Sequence, residues 1–434
     1  MDLQELYLTK KGTVDDALGL VQDGMIISTT GELTEPEAFL NAFDRIVPRL
    51  HGVEFMKGKK GSGKQYPFMA LPDLAEHLEL VGHLYDSEYR RLNDLGAATH
   101  LPSNLHDFMM RRMQYRGGVD LFVGMATPPD ESGCLHVSGS GMWEECAYRH
   151  AKKVVLEINP KLPCFHDSLA IPLERVDLLY EVDYPITTFQ RQEPTETDRA
   201  IGGLLAEFIH DGDCIQLGLG GVPDAVAHSF FEKKDLGLHT ELFTPVMGDL
   251  IEVGVINGSR KTIDRGKHVG NFVLGDERLY RQLAENPDVS FRQASYTNDP
   301  FVIAQIDNMV SLNTAMEIDL TGQICSESIG PRQYSGTGGA FDFAFGAQHS
   351  KGGRGIIAIA STAKGGTISK IKPILTPGAV VSISRNVADI IATEYGVAYM
   401  RGRTVRERAE QLIRIAHPAF REELEFEARK MHYI

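Results

Sequence analysis

The residues able to do chemistry in this sequence are glutamates beside glycine-rich turns. Gly218-Leu219-Gly220-Gly221-Val222-Pro223 follows an apolar run, Cys214 to Leu217, and precedes a helix-forming stretch, Asp224 to Phe231. Glycines there let backbone amides approach an anion at a helix N-terminus. As a dinucleotide fingerprint the run fails, because Pro223 stands where the last glycine belongs. A tight strand-to-helix turn without any ligand explains the same residues. Glu241, in His239-Thr240-Glu241, lies 20 residues beyond Gly221. That is one β-α-β step, so a carboxylate and an anion loop could share a crevice. A second loop, Ser335-Gly336-Thr337-Gly338-Gly339-Ala340, offers amides to an anion or to a thioester oxygen, or forms a plain flexible hairpin.

Other candidates carry less. Gly58 to Lys64 (GKKGSGK) follows most of a P-loop, but Gln65 stands where a Ser or Thr should bind Mg²⁺, and no apolar strand precedes it. His136, His150 and His166 are too far apart for one helix face and no HExxH occurs, so no metal site is read. Cys134, Cys146, Cys164, Cys214 and Cys325 are odd in number and form no CxxC, which points to reduced thiols. Arg111, Arg112 and Arg116 could gather on a helix face and attract a carboxylate, or simply be solvated.

The elements that must position these groups are short β-branched runs separated by helix-length segments: Val119 to Val123, Lys153 to Ile158, Cys214 to Leu217, Gly355 to Ala360 and Ala379 to Ile383. Near-continuous apolar runs of that kind indicate parallel strands covered on both faces, hence an α/β class. The polar, proline-bearing stretch Asp183 to Arg199 ends in Thr197-Asp198, which suits a helix start before Ala200. It divides the chain into residues 1–190 and 191–434, two α/β domains with similar strand-to-glycine turns at Val123-Gly124 and Leu217-Gly218.

With a net charge of −15, neither nucleic acid nor an anionic membrane is favoured as a partner. Met1 to Lys11 lacks the profile of a signal peptide and no apolar run approaches a membrane span, so a cytoplasmic location is expected.

Taken in order, Leu217 to Val226, His239-Thr240-Glu241, Gly254 to Lys267, Ser335 to Gly339 and Thr393 to Ala398 resemble the acetyl-CoA hydrolase/transferase family, especially its 4-hydroxybutyrate and butyryl-CoA:acetate CoA-transferases. Pro128 to Gly133 and Leu156 to Pro160 extend the likeness into the first half. The resemblance implies two similar, open, mostly parallel α/β domains with the active site between them, and a catalytic glutamate at Glu241. It implies transfer of CoA between a short acyl-CoA and a free carboxylate through a glutamyl-CoA thioester, in a ping-pong sequence. No metal and no permanently bound cofactor are needed, and CoA enters only as substrate. The acid is expected to be 4-hydroxybutyrate or butyrate with acetyl-CoA as donor. A short dicarboxylate such as itaconate, with succinyl-CoA, and acyl-CoA hydrolysis are the alternatives.

The CoA-binding set is expected at Gly218, Leu219, Gly220, Gly221, Val222, Gly338, Gly339 and Lys364, in a homo-oligomer. Two rivals for the nucleophile are Glu327, in the Ser-Glu context that other CoA-transferases use, and Glu394. The sequence departs from the family at Leu242 to Gly248, where a Ser-Asp-Gly turn is usual, and at Ala340, which replaces a glutamine.

Overall fold

A computed structural model of the chain describes residues 2–58, 65–189, 193–218 and 220–434. The chain forms two compact units, one of Met1–Gln190 with Gly270–Tyr296, the other of Arg191–Val269 with Thr297–Ile434. The excursion Gly270–Tyr296 thus joins the first unit from within the second half of the sequence.

The first unit holds seven parallel strands: β1 (Ile26–Thr29), β2 (Val53–Met56), β3 (Leu78–Gly82), β4 (Ala98–His100), β5 (Val119–Ala126), β6 (Ala151–Ile158) and β7 (Leu178–Glu181). They lie in the order β4-β3-β2-β1-β5-β6-β7. Strands β1 and β2 are buried at every position, as a strand covered on both faces must be. Phe43 stacks on Phe55 of β2 with centroids 5.0 Å apart, and Phe68 meets Phe43 edge-on at 5.2 Å, anchoring the core on one side of the sheet.

The second unit repeats the plan with β8 (Cys214–Leu217), β9 (Gly237–His239), β10 (His268–Gly270), β11 (Met309–Thr314), β12 (Arg354–Ala358), β13 (Ile390–Thr393) and β14 (Gly396–Tyr399). Within it the order is β10-β9-β8-β11-β12-β13-β14, with only the β13–β14 pair antiparallel. In each sheet the chain builds outward to one edge and then returns past its first strand. The order reverses at β1/β5 and at β8/β11, and it is beyond the carboxyl ends of such strands that open α/β sheets bind ligands.

Two local expectations change. The helix after the linker begins at Glu196 rather than near Ala200, because Thr195 caps it and exchanges a capping box with Asp198. Ala379–Ile383 is not a strand: its ladder pairing is limited to an isolated bridge from Ile383 to Ile324, and Val380 and Val381 are exposed. Val380 and Val381 thus lie at the surface, while Ile383 alone enters the core.

Candidate active site

Strand β9 delivers Glu241 to the carboxyl edge of the second sheet. Pairing with β10 runs through Leu238–His268 and His239–Val269, and the Thr240 amide adds one more bond to the Val269 carbonyl at 2.9 Å. The chain then leaves the sheet at Glu241, buries Leu242 and Phe243, and enters the helix Pro245–Glu252 with proline in its first turn.

The Glu241 carboxylate is held from two sides. Asn298 Nδ2 donates to Oε2 at 2.8 Å. The Gly339 amide, at the N-terminus of the helix Ala340–His349, donates a second bond. The orientation of Asn298 is fixed in turn, since the Thr297 hydroxyl donates to its Oδ1 at 2.8 Å and leaves the amide nitrogen facing Glu241. Beneath them the His239 Nε2 donates to the Thr297 carbonyl at 2.9 Å, tying β9 to the Thr297-Asn298 segment. Burial pushes the Glu241 carboxyl up to about 7, with the negative charge of buried Asp342 acting in the same direction. The bonds from Asn298 and Gly339 oppose that rise. The result is a carboxylate that ionises near neutral pH and is then more nucleophilic than an ordinary glutamate.

Glu327, the rival, is occupied. Its carboxylate, on a residue 5% exposed, accepts from Thr337 Oγ1 at 2.9 Å, Ser382 Oγ at 2.8 Å and Gln333 Nε2 at 3.2 Å. Its carbonyl accepts the amides of Tyr334 and Ser335 at 2.8 and 2.9 Å. It fastens the Ser335–Gly339 loop that presents the Gly339 amide. Gly338 turns that loop with φ of 56°, a left-handed value that glycine adopts without strain. Glu394 is likewise bound, taking both the amide of Ser361 at 2.9 Å and its hydroxyl at 2.5 Å.

The first glycine loop has a mixed placement. The Gly218 amide donates to the Leu312 carbonyl at 2.9 Å, so that donor is used within the unit's own fold. Gly220 caps the helix Gly221–His228, in which Val222 is buried. A Cβ on Gly221 would fall 2.4 Å from Asp198 Oδ2, so close packing against the preceding helix accounts for that glycine. Leu219 lies outside the described residues, as does Lys59 to Lys64 of the P-loop-like run. Lys364 is exposed in the turn joining the paired strands Thr362–Ala363 and Ile368–Ser369.

The arginines of the cluster are each paired, three guanidiniums sharing two carboxylates. Arg112 and Arg116 both pair with Glu54, at 2.6 and 2.9 Å, and Arg111 pairs with Asp107 at 3.1 Å. Among the described residues no group of His, Cys, Asp and Glu could hold a metal ion. No described helix is long and apolar enough to cross a membrane.

Comparison with known proteins identifies the family. The acetyl-CoA hydrolase/transferase C-terminal domain profile matches residues 275–428. A succinyl-CoA:cyclohexane-1-carboxylate CoA transferase of Geobacter metallireducens is 40% identical over 428 residues, covering 99% of this chain and 97% of its own. A 4-hydroxybutyrate coenzyme A transferase of Clostridium kluyveri is 36% identical over 431 residues, covering 99% of this chain and 100% of its own. Among solved structures, RipA from Yersinia pestis matches with a TM-score of 0.93 and 32% identity over 100% of both chains. Identity to CoA-transferases along nearly the whole length places the chain in the acetyl-CoA hydrolase/transferase family, as one of its acyl-CoA:carboxylate CoA-transferases.

Proposed function

We propose that Glu241 is the nucleophile and carries CoA as a covalent thioester. The observation behind this is its part-buried carboxylate, raised to about 7 and held by Asn298 and the Gly339 amide. A Glu241 oxygen attacks the thioester carbonyl, and the tetrahedral oxyanion collapses to a mixed anhydride as CoA thiolate leaves. The thiolate then attacks the glutamyl carbonyl and expels the donor's carboxylate, leaving glutamyl-CoA. An acceptor carboxylate repeats the two steps in reverse and departs as its own CoA ester. Each oxyanion needs fixed donors, and the Gly339 amide and the Asn298 amide are the donors nearest the reacting carboxylate. An ionised carboxylate needs no general base, so the sequence runs without metal or resident cofactor.

For substrates we favour a short monocarboxylate of the 4-hydroxybutyrate or butyrate type, with acetyl-CoA as donor. Its relatives' names extend the range to alicyclic acids, with succinyl-CoA as donor. The dicarboxylate alternative keeps the support of relatives named for succinyl-CoA and succinate, although Arg112 and Arg116 are paired with Glu54 and Arg111 with Asp107. The CoA contacts are assigned to Gly218–Val222, Gly338, Gly339 and Lys364, whose exposed ammonium suits a phosphate. We place the enzyme in the cytoplasm as a homo-oligomer.

The test is incubation with acetyl-CoA, borohydride reduction and peptide mass mapping, with Glu241→Ala as control. Hydride reduces a glutamyl thioester and leaves a free carboxylate untouched. Reduction confined to Glu241 supports the reading; label at Glu327, or none with any acyl-CoA, overturns it.

A further inference from the structure

Lys370, in the second unit, is a half-buried amine that CoA transfer through Glu241 leaves unused. It follows the hairpin strand Ile368–Ser369, and its backbone is locked on both sides. Its amide donates to the Ser361 carbonyl at 2.9 Å, and its own carbonyl accepts the Ile318 amide at 2.9 Å.

The side chain reaches the edge of the sheet where ligands bind. Lys370 Nζ donates to the carbonyl of Ala315 at 3.2 Å. Ala315 is the residue just past the end of β11, and β8/β11 is the pair at which the strand order reverses. Strands β9, β8 and β11 are neighbours and run parallel, so their carboxyl ends share one edge. Glu241 follows β9 on that edge, Gly218 follows β8, and Ala315 with the Lys370 amine follows β11.

The surroundings of Nζ favour the uncharged amine. Its hydrogen-bond partner is a neutral carbonyl, not a carboxylate. Glu394 is the acid whose charge reaches it, and the Glu394 oxygens are engaged by Ser361, through the amide at 2.9 Å and the hydroxyl at 2.5 Å. Burial lowers the Lys370 ammonium, with the Glu394 charge opposing the shift. An amine in this state gives one N–H to Ala315 and keeps its lone pair for an electrophile, as desolvated lysines that attack carbonyl carbons do.

We propose that Lys370 is an acylation site, whose Nζ takes the acyl group of an acyl-CoA bound at this edge of the second unit. The acyl-CoA follows from the CoA-transferase assignment and does not require Glu241 to be the nucleophile. The Nζ lone pair adds to the thioester carbonyl carbon, and the tetrahedral oxyanion collapses with loss of the C–S bond. The CoA thiolate takes up the proton that the nitrogen releases, so amine and thioester become amide and free thiol. The product cannot return by the steps that reverse CoA transfer, because an amide is a far poorer acyl donor than a thioester or an anhydride. Acylation also leaves a nitrogen that no longer carries a proton, which removes the positive charge facing Glu394.

The full chain is incubated with acetyl-CoA at mildly alkaline pH without an acceptor acid, and acetyl-lysines are followed in time by peptide mass mapping. Lys152 and Lys351, both exposed, serve as reference amines. Lys370 is expected to be acetylated at least ~10-fold faster than either, the factor that one pKa unit gives in the neutral fraction. In urea, where the fold is lost, the three rates become alike. Lys370 modified no faster than the reference lysines, or a preference that survives in urea, overturns the proposal. The same mapping on Glu241→Ala isolates the direct route: labelling that persists there supports attack on the thioester itself, and labelling that vanishes there while circular dichroism shows an intact fold overturns it. Acetyl-Lys370 in a wild-type chain that gives no borohydride adduct at Glu241 keeps this site and removes only the nucleophile reading.

Discussion

A Cβ placed on Gly339 would lie 2.0 Å from Glu241 Oε2 and 2.3 Å from Asn298 Nδ2. The backbone at Gly339 has φ of −85° and ψ of 3°, values any residue adopts, so contact with the carboxylate is what demands glycine there. Gly339→Ala is therefore expected to cost about 1–3 kcal/mol of stability by overpacking, and to lower activity by pushing the Glu241 carboxylate and Asn298 out of place. Circular dichroism and steady-state kinetics on the same preparation check both halves; an alanine variant with wild-type kcat would remove Gly339 from the site.

Glu241 also gives the protein a pH signature. Its carboxyl ionises near 7 in the fold, against 4.5 ordinarily, so between those values the folded chain holds a proton that the unfolded chain has released. Stability from that proton is complete below the unfolded value and is lost as pH rises through about 7. Glu241→Gln is expected to stabilise the fold at pH 8 by about 1–3 kcal/mol and so raise Tm, with the gain fading toward pH 5. In the active enzyme the same ionisation makes kcat/KM rise with pH through about 7. Asn298→Ala, which removes a bond to the charged form, moves that limb to higher pH, and Asp342→Asn moves it lower. Melting curves and pH-rate profiles on the variants decide the matter, and an Asn298→Ala limb displaced downward would contradict it.

If Glu241 is the nucleophile, Glu327 acts on the reaction only through the loop it fastens. Glu327→Ala leaves Thr337, Ser382 and Gln333 without their shared acceptor and is expected to cost about 1–3 kcal/mol of stability. It should also lower kcat more than it raises KM, as the Gly339 amide loses its fixed position. Glu327→Gln keeps one acceptor oxygen and should recover part of both losses. Borohydride labelling at Glu241 persists in the glutamine variant; if labelling instead moved or vanished there while the fold stayed intact, Glu327 would be taking part in the chemistry directly.

The elements that carry Glu241 were legible in sequence because they are local. A four-residue apolar strand running into glycines, and a glutamate one β-α-β step later, are written within Cys214 to Glu241, and the fold places β8, the helix Gly221–His228 and β9 in that succession. The partners of Glu241 were not legible. Asn298 lies 57 residues from Glu241 in an Asn-Asp-Pro turn whose composition says only that the chain bends, and Asp342 looks like any acid in a helix's first turn. Their roles exist only once β9, the Thr297-Asn298 segment and the helix Ala340–His349 converge. The excursion Gly270–Tyr296 into the first unit was equally unmarked, since no linker composition sets it off. Ala379–Ile383 misled for the opposite reason: its β-branched residues have strand propensity, but no neighbouring strand pairs with them beyond one bridge.

The arginines near Glu54 separate structure from specificity. Arg112 is 16% exposed and Glu54 6%, so the pair is largely dry, and Arg116 remains as a second partner when Arg112 is removed. Arg112→Gln is therefore expected to destabilise by ~1–3 kcal/mol, less than stranding Glu54 with no cation at all. If these arginines served a substrate carboxylate, the variant would raise KM for succinate far more than for butyrate. With both held by Glu54, the two KM values should change by the same small factor. Side-by-side kinetics with the two acids, set against the loss in Tm, measure that difference: a selective rise for succinate would assign these arginines to a dicarboxylate, and a parallel change leaves Arg112 as a brace between β2 and the helix Phe108–Arg116.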